Sequence, residues 1–183
     1  MNRLILVRHG EAAAGWGDDL DPGLSERGHA QARHAAESLN PLGPLPVYTS
    51  PLRRCRETAT PIAAQWNVGA TIEPRVGEIE APDHDLAARG PWLASVLGGT
   101  WPEMPKAQHA WRDTVLACLL SLDHDCVVVT HFVAINVAIG AATVDPRVVC
   151  HRVGNCSSTM FQSDGTSLML VAAPAEPETT EVL

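Results

Sequence analysis

This 183-residue sequence contains no apolar run that approaches the roughly 20 residues a helix needs to cross a bilayer. The apolar stretch behind Met1-Asn2-Arg3 is only Leu4-Ile5-Leu6-Val7, too short for a secretory leader, so the expected location is cytoplasmic. A basic excess is missing as well. With 13 Lys and Arg against 21 Asp and Glu, the formal net charge is −8, which argues against nucleic acid or an anionic membrane as partner. Any anion must therefore be captured by a local site. The five cysteines, Cys55, Cys118, Cys126, Cys150 and Cys156, are odd in number and form no Cys-x-x-Cys pair. That pattern disfavours a disulfide framework or a zinc site and leaves small core thiols. Internal repeats and low-complexity stretches are absent.

What is present suits one globular domain over residues 1–173, with 45% hydrophobic and 19% charged residues, followed by an acidic, Pro-containing tail at 174–183 expected to be disordered. Leu4–Val7 reads as a buried strand, and Gly10 permits a tight turn behind it. After the Gly- and Asp-rich loop 15–23, Ser25 has the character of a helix N-cap, with the helix running to about Leu39. Val47–Thr49 reads as a second strand and Pro51 as the opening of the next helix. Ala70–Glu73 is a candidate third strand. Helical stretches follow near 86–97 and 106–122, the latter with Trp111, Val115, Cys118, Leu119 and Leu122 on one face. Cys126–Thr130 has the continuous apolar character of a central parallel strand, and a helix from Phe132 to about Ala141 follows it. Residues 156–162 and 166–172 flank Asp164-Gly165, a hairpin signal. Strands alternating with helices imply an α/β sandwich with a mostly parallel sheet, and the hairpin adds an antiparallel edge.

Two strand ends carry histidines. Arg8-His9-Gly10-Glu11 follows the first strand and His131 follows Thr130. In open α/β sheets, ligands bind at the carboxyl ends of the strands. A neutral imidazole can attack phosphorus there while a guanidinium fork holds the phosphoryl oxygens. An arginine at a buried strand end is costly without an anion, which favours a functional Arg8. Arg53, Arg54 and Arg56 form a basic cluster at the start of the second helix, where free N–H groups also attract a dianion. For Arg53 and Arg56 a solvated face is the simpler reading.

Taken together, the ordered motifs resemble the histidine phosphatase superfamily, which includes phosphoglycerate mutases and many small phosphomonoesterases. Arg8-His9-Gly10-Glu11 is similar to the family's opening signature, and Leu24-Ser25-Glu26-Arg27-Gly28-His29-Ala30-Gln31-Ala32 to its first-helix segment. Ser50-Pro51-Leu52-Arg53-Arg54-Cys55-Arg56-Glu57-Thr58-Ala59 is similar to its Ser-x-Leu-x-Arg-Ala-x-x-Thr-Ala motif and selects Arg54. Glu78 aligns with the proton-donor glutamate and Val128-Val129-Thr130-His131 with the second histidine.

The resemblance implies a three-layer α/β/α sandwich of the phosphoglycerate mutase type with a cap-like insertion around 74–122. It also implies a metal-independent, cofactor-free phosphomonoesterase acting on a small phosphorylated molecule. His9 is then the nucleophile, Arg8, Arg54 and His131 hold the phosphoryl oxygens, and Glu78 is the proton donor and acceptor. Asn155 is a candidate substrate-side contact. The insertion offers Trp92, Trp101, Trp111, His84 and Arg89 to a substrate. Three features depart from the family pattern. The loop after Glu78 lacks the usual glycine and Trp-Glu-Gly, so Glu80, Asp83 and His84 stay open as donors. Ala12-Ala13-Ala14-Gly15-Trp16 lacks a common asparagine, and Phe132 replaces a common glycine. Alternative activities are a phosphohistidine protein phosphatase, mutase-like phosphotransfer and a non-catalytic phosphate-binding module. The oligomeric state is left open, because amphipathic helices serve a core or a partner equally.

Overall fold

The computed structural model describes residues 1–15, 17–82 and 85–177. Its centre is β1 (Asn2–Arg8), flanked by β4 (Cys126–Thr130) in parallel and β5 (Ser158–Ser163) in antiparallel pairing. The six-stranded sheet continues through β2 (Val47–Thr49) and β3 (Ala70–Ile72) on one side and β6 (Leu168–Ala172) on the other, in the order β3-β2-β4-β1-β5-β6. The chain is therefore the expected three-layer α/β/α sandwich, mostly parallel with an antiparallel edge.

Because β-strand side chains alternate, β1 feeds two cores. Leu4 and Leu6 pack into the layer of α3 (Leu86–Leu97), α4 (Lys106–Ser121) and α5 (Phe132–Thr143). Ile5 and Val7 face α1 (Glu26–Leu39) and α2 (Arg53–Gln65). Burial on both faces explains why β1 and β4 read as continuous apolar runs and not as alternating ones. The same logic governs α5, which has no polar stripe because residues Phe132–Gly140 are all buried. Its one internal amide, Asn136, is bonded at both ends: it donates to the Phe132 carbonyl at 3.0 Å and accepts from the Cys150 and His151 N–H groups at 2.8 Å each.

Local chemistry sets the boundaries. Ser25 caps α1, its hydroxyl accepting from the Gly28 N–H at 3.0 Å. Helix α2 begins at Arg53 and not at Pro51. The Ser50 N–H still pairs with the Val129 carbonyl at 3.0 Å, and Leu52 remains extended while its carbonyl accepts the first helical bonds. Strand β5 likewise starts two residues later than expected, because Cys156 turns the chain with φ of 55°. In the expected tail, Pro174 and Glu176 contact the 151–152 loop, their oxygens lying 2.7 Å from His151 Nε2 and 3.0 Å from the Arg152 N–H. Residues 178–183 lie outside the described residues.

Candidate active site

Three neighbouring parallel strands deliver the site. The β1–β4 register pairs Arg8 with Thr130, so His9 and His131 leave adjacent strand ends together, with ring centroids 5.2 Å apart. The end of β2 lies against β4, and α2 starting from it brings Arg54 between the two rings.

His9 is held in one tautomer. Its Nδ1 lies 2.7 Å from the Gly10 carbonyl oxygen, which can only accept, so Nδ1 carries the proton and Nε2 keeps its lone pair. Arg54 Nε donates to that Nε2 at 3.2 Å. Burial, reinforced by His131, Arg54 and Arg8, pulls the His9 pKa well below its ordinary value, against a smaller upward pull from the Gly10 carbonyl. The ring is therefore neutral at physiological pH. The turn beneath it is tightly fixed. The Gly10 N–H donates to Thr58 Oγ1 at 3.0 Å, Thr58 donates on to the Arg54 carbonyl at 2.7 Å, and the Asn155 amide donates to the His9 carbonyl at 3.1 Å. A side chain at Gly10 would lie 2.7 Å from the Gly28 carbonyl oxygen, and one at Gly28 would meet Glu11 closer still. Only two glycines let this turn rest on the start of α1. Glu11 is structural, accepting from Ser25 Oγ at 2.6 Å and Arg27 at 3.2 Å.

Glu78 closes the cluster. Its Oε2 is 3.2 Å from His131 Nδ1 and 3.6 Å from Arg54 Nη2. The carboxyl points inward because Val76 and Ile79 on either side are anchored in the core, and the Val76 carbonyl accepts from Thr130 Oγ1 at 2.7 Å. Burial alone would raise the Glu78 pKa, but His131, Arg54 and the Ile79 N–H together hold it below its usual range. His131 is enclosed, its Nε2 meeting Ser50 Oγ at 2.8 Å and Cys55 Sγ at 3.4 Å. Its pKa is lowered, chiefly by burial, with Arg54 and Arg8 adding to the effect and Glu78 opposing it. Arg8 is anchored on the Val153 carbonyl at 2.8 Å, with its guanidinium 5.2 Å above the Phe132 ring.

These groups open on a cavity of about 380 Å³ lined by Arg8, His9, Arg54, Glu78 and Asn155 at one end. The other walls come from residues 12–15 with Leu20 and Pro22, from Arg89, Leu93 and Leu97 of α3, and from Phe132 and Val133. Glu80 is exposed and does not line the cavity, while Asp83 and His84 lie outside the described residues, as does Trp16. Arg53 and Arg56 are exposed, and Arg53 pairs with Glu57 at 2.7 Å. Of the insertion residues offered to a substrate, Arg89 lines the cavity, whereas Trp101 and Trp111 stack on each other at 6.3 Å and Trp92 packs against the core. Sequence reading assigned no role to Ser50, Thr58 or the α3 leucines. Thr58 stands four residues after Arg54, one helical turn, which is the signal that links them.

The family model described as "Histidine phosphatase superfamily (branch 1)" matches residues 4–173. Phosphoserine phosphatase 1 of Hydrogenobacter thermophilus is 35% identical over 115 residues, 61% of this chain and 51% of that protein. Glucosyl-3-phosphoglycerate phosphatase of Mycobacterium tuberculosis is 30% identical over 115 residues, 61% of this chain and 48% of that protein. The chain thus spans about half the length of these two curated relatives. A solved structure of the mycobacterial glucosyl-3-phosphoglycerate phosphatase with VO3 superposes with a TM-score of 0.69 at 26% identity, over 94% of this chain and 98% of that one. With the paired histidines, the buried Arg54 and the match over residues 4–173, the chain belongs to the histidine phosphatase superfamily.

Proposed function

We propose that the chain is a metal-independent phosphomonoesterase that works through phospho-His9 on a small phosphorylated molecule. The observation that carries this reading is the neutral Nε2 of His9, facing a cavity with its lone pair held by Arg54 at 3.2 Å. A phosphomonoester dianion entering between Arg8 and Arg54 takes over that guanidinium, which frees Nε2 for in-line attack. The N–P bond forms as the ester P–O bond breaks, and charge on the equatorial oxygens is met by Arg8, Arg54 and, from behind, His131.

Glu78 is the acid in this step. In the free protein it is ionised, but the dianion both adds a like charge beside it and draws Arg54 away, and both changes raise its pKa. The protonated carboxyl gives its proton to the leaving alkoxide. As carboxylate it then takes one from the water that cleaves the N–P bond. Asn155 keeps the His9 carbonyl in place while exposing itself to the cavity, a positioning role in addition to any substrate contact.

Ligand atoms of His9, Glu78 and His131 lie within 4.8 Å of one another, a spacing a metal could use. Arg54 contacts all three residues, so a permanent cation already occupies the middle of that donor set and repels a divalent ion. The enclosed wall supplied by α3 favours a small molecule over a protein side chain, which needs a shallow opening. It also gives the insertion 74–122 the role of a substrate-side cap on a single domain. Arg89 is the one cation from that insertion among the described cavity residues, too little for a bisphosphate and so for mutase chemistry. Five free thiols fit a reducing cytoplasmic compartment.

The test is hydrolysis of an aryl phosphate in excess chelator, with rapid acid-free quenching to isolate the phosphoenzyme. Wild type should turn over and carry an acid-labile phosphate, and His9→Ala should lose both. Retained labelling in His9→Ala, or turnover that chelator abolishes, overturns the proposal.

A further inference from the structure

Resting on that reading, we infer that the alcohol released from the phosphate is compact, uncharged and largely apolar. Most side chains that line the cavity beyond the phosphate clamp are hydrocarbon: Leu93 and Leu97 from α3, Phe132 and Val133 from α5, and Leu20 with Ala12 to Ala14 from the loop behind His9. Arg89, Leu93 and Leu97 are spaced four apart, so they form one stripe along α3 and act together as a wall. Leu20 is 53% exposed although it borders this cavity. A large apolar side chain left in water at the rim of an apolar cavity gains when a ligand covers it.

The charges point the same way. Outside the clamp the cavity holds Glu11, Asp19 and Arg89, two carboxylates against one guanidinium, and Glu11 is already engaged with Ser25 and Arg27. With Glu11 paired to Arg27, Asp19 and Arg89 balance, so a second anionic group on the substrate would meet no surplus of positive charge there. A polyhydroxy group would find few partners, since outside the clamp the only uncharged polar side chain among the described lining residues is Asn155, whose amide already donates to the His9 carbonyl. A hydroxyl buried without a partner is penalised and an alkyl group is not. The volume, about 380 Å³, lies at the small end of the roughly 300–1,000 Å³ usual for ligand pockets, and the phosphoryl group takes part of it. A short alkyl or single-ring alcohol fills the remainder.

The experiment is a series of primary alkyl phosphates from ethyl to pentyl, whose leaving groups differ little in basicity, beside glycerol 1-phosphate, phosphoserine and 3-phosphoglycerate. For wild type, kcat/KM should rise about threefold to fourfold per methylene until the cavity is filled, the ratio that corresponds to about 0.8 kcal/mol for each buried CH2. Pentyl phosphate should exceed glycerol 1-phosphate by more than tenfold. Leu97→Asn should reduce the pentyl-to-ethyl ratio by about tenfold. The exposed Leu20→Asn, which cannot disturb the core, should reduce it by about threefold. A flat series, or preference for 3-phosphoglycerate or phosphoserine with turnover intact, overturns this inference and leaves the phosphatase reading standing. Failure of every ester together with no acid-labile phosphate on His9 overturns the phosphatase reading, and this inference with it.

Discussion

At the phosphate end of the cavity each reacting group has two or more protein partners within 3.6 Å, whereas the opposite wall is mostly hydrocarbon, with a rim leucine that is half exposed. The first region is built on the ends of β1 and β4 and the start of α2 behind β2, with Glu78 brought in by a loop anchored through Val76 and Ile79. The second is assembled from a loop, from α3 and from the first turn of α5. Their difference separates two jobs. Reaction geometry tolerates little displacement, so it sits on the most constrained elements. Selection among leaving groups rests on burial of apolar area, which is non-directional and survives on a looser frame.

The sharpest way to break that comparison is to remove the proposed proton carrier, Glu78, while leaving the clamp's shape intact. Glu78→Gln retains the size of the side chain at 3.2 Å from His131 but cannot titrate. With alkyl phosphates, whose leaving groups need protonation, kcat/KM should fall about 10³-fold, within the range for general acid catalysis. With an aryl phosphate the first step should survive, and the phosphoenzyme should accumulate as a stoichiometric burst because water is no longer activated. Equal losses on both ester classes would move the role to another acid.

Arg54 comes next. Its guanidinium contacts His9, His131 and Glu78 at once, so Arg54→Ala should lower kcat/KM by about 10²- to 10³-fold, the scale of one lost oxyanion donor in a dry site. Phosphate at one hundred times its dissociation constant should stabilise wild type by about 2.7 kcal/mol, read as a rise in Tm. The variant should show almost none of that rise at the same concentration. An undiminished rise would place the phosphate elsewhere in the cavity.

The same contrast decides what could be read from sequence. The clamp was legible because its parts lie at the ends of β1 and β4, whose apolar runs announce buried parallel strands, and at the start of a helix. Arg54 was separable from Arg53 and Arg56 only through the surrounding motif, and the structure buries it to 5% exposure while leaving those two in water. Glu78 stood among several acids in a Pro-rich loop. What singles it out is the anchoring of Val76 and Ile79 on either side, a tertiary fact that no local spacing carries. The apolar wall was illegible for a similar reason. Leu93 and Leu97 look like any core stripe on a helix, and the alanines at 12–14 acquire meaning only when the fold lays them opposite α3. The insertion's tryptophans drew attention as ligand residues, yet Trp101 and Trp111 serve the packing of α4.

The smallest expected effect concerns stability and probes the clamp without substrate. His9 and His131 both have folded-state pKa values below the ordinary 6.5, mainly through burial and with Arg54 and Arg8 contributing. Their contribution is complete above pH 6.5 and is lost as pH falls below it, because the unfolded chain then binds protons that the folded chain refuses. Each such group can add a slope of up to about 1.4 kcal/mol per pH unit, so the pair gives up to about 2.7 kcal/mol per unit between pH 6 and 5. Denaturation with urea across that range should show the slope, and His9→Asn should remove about half of it. The apolar wall contains no histidine among its described residues, so Leu20→Asn should leave the slope unchanged. Saturating orthovanadate should reduce the slope without abolishing it, since an anion between Arg8 and Arg54 offsets their share of the shift and leaves the larger share, from burial. An unchanged slope in His9→Asn would mean that the fold does not lower the His9 pKa, and would remove the argument from burial and from Arg54 for a ring held neutral.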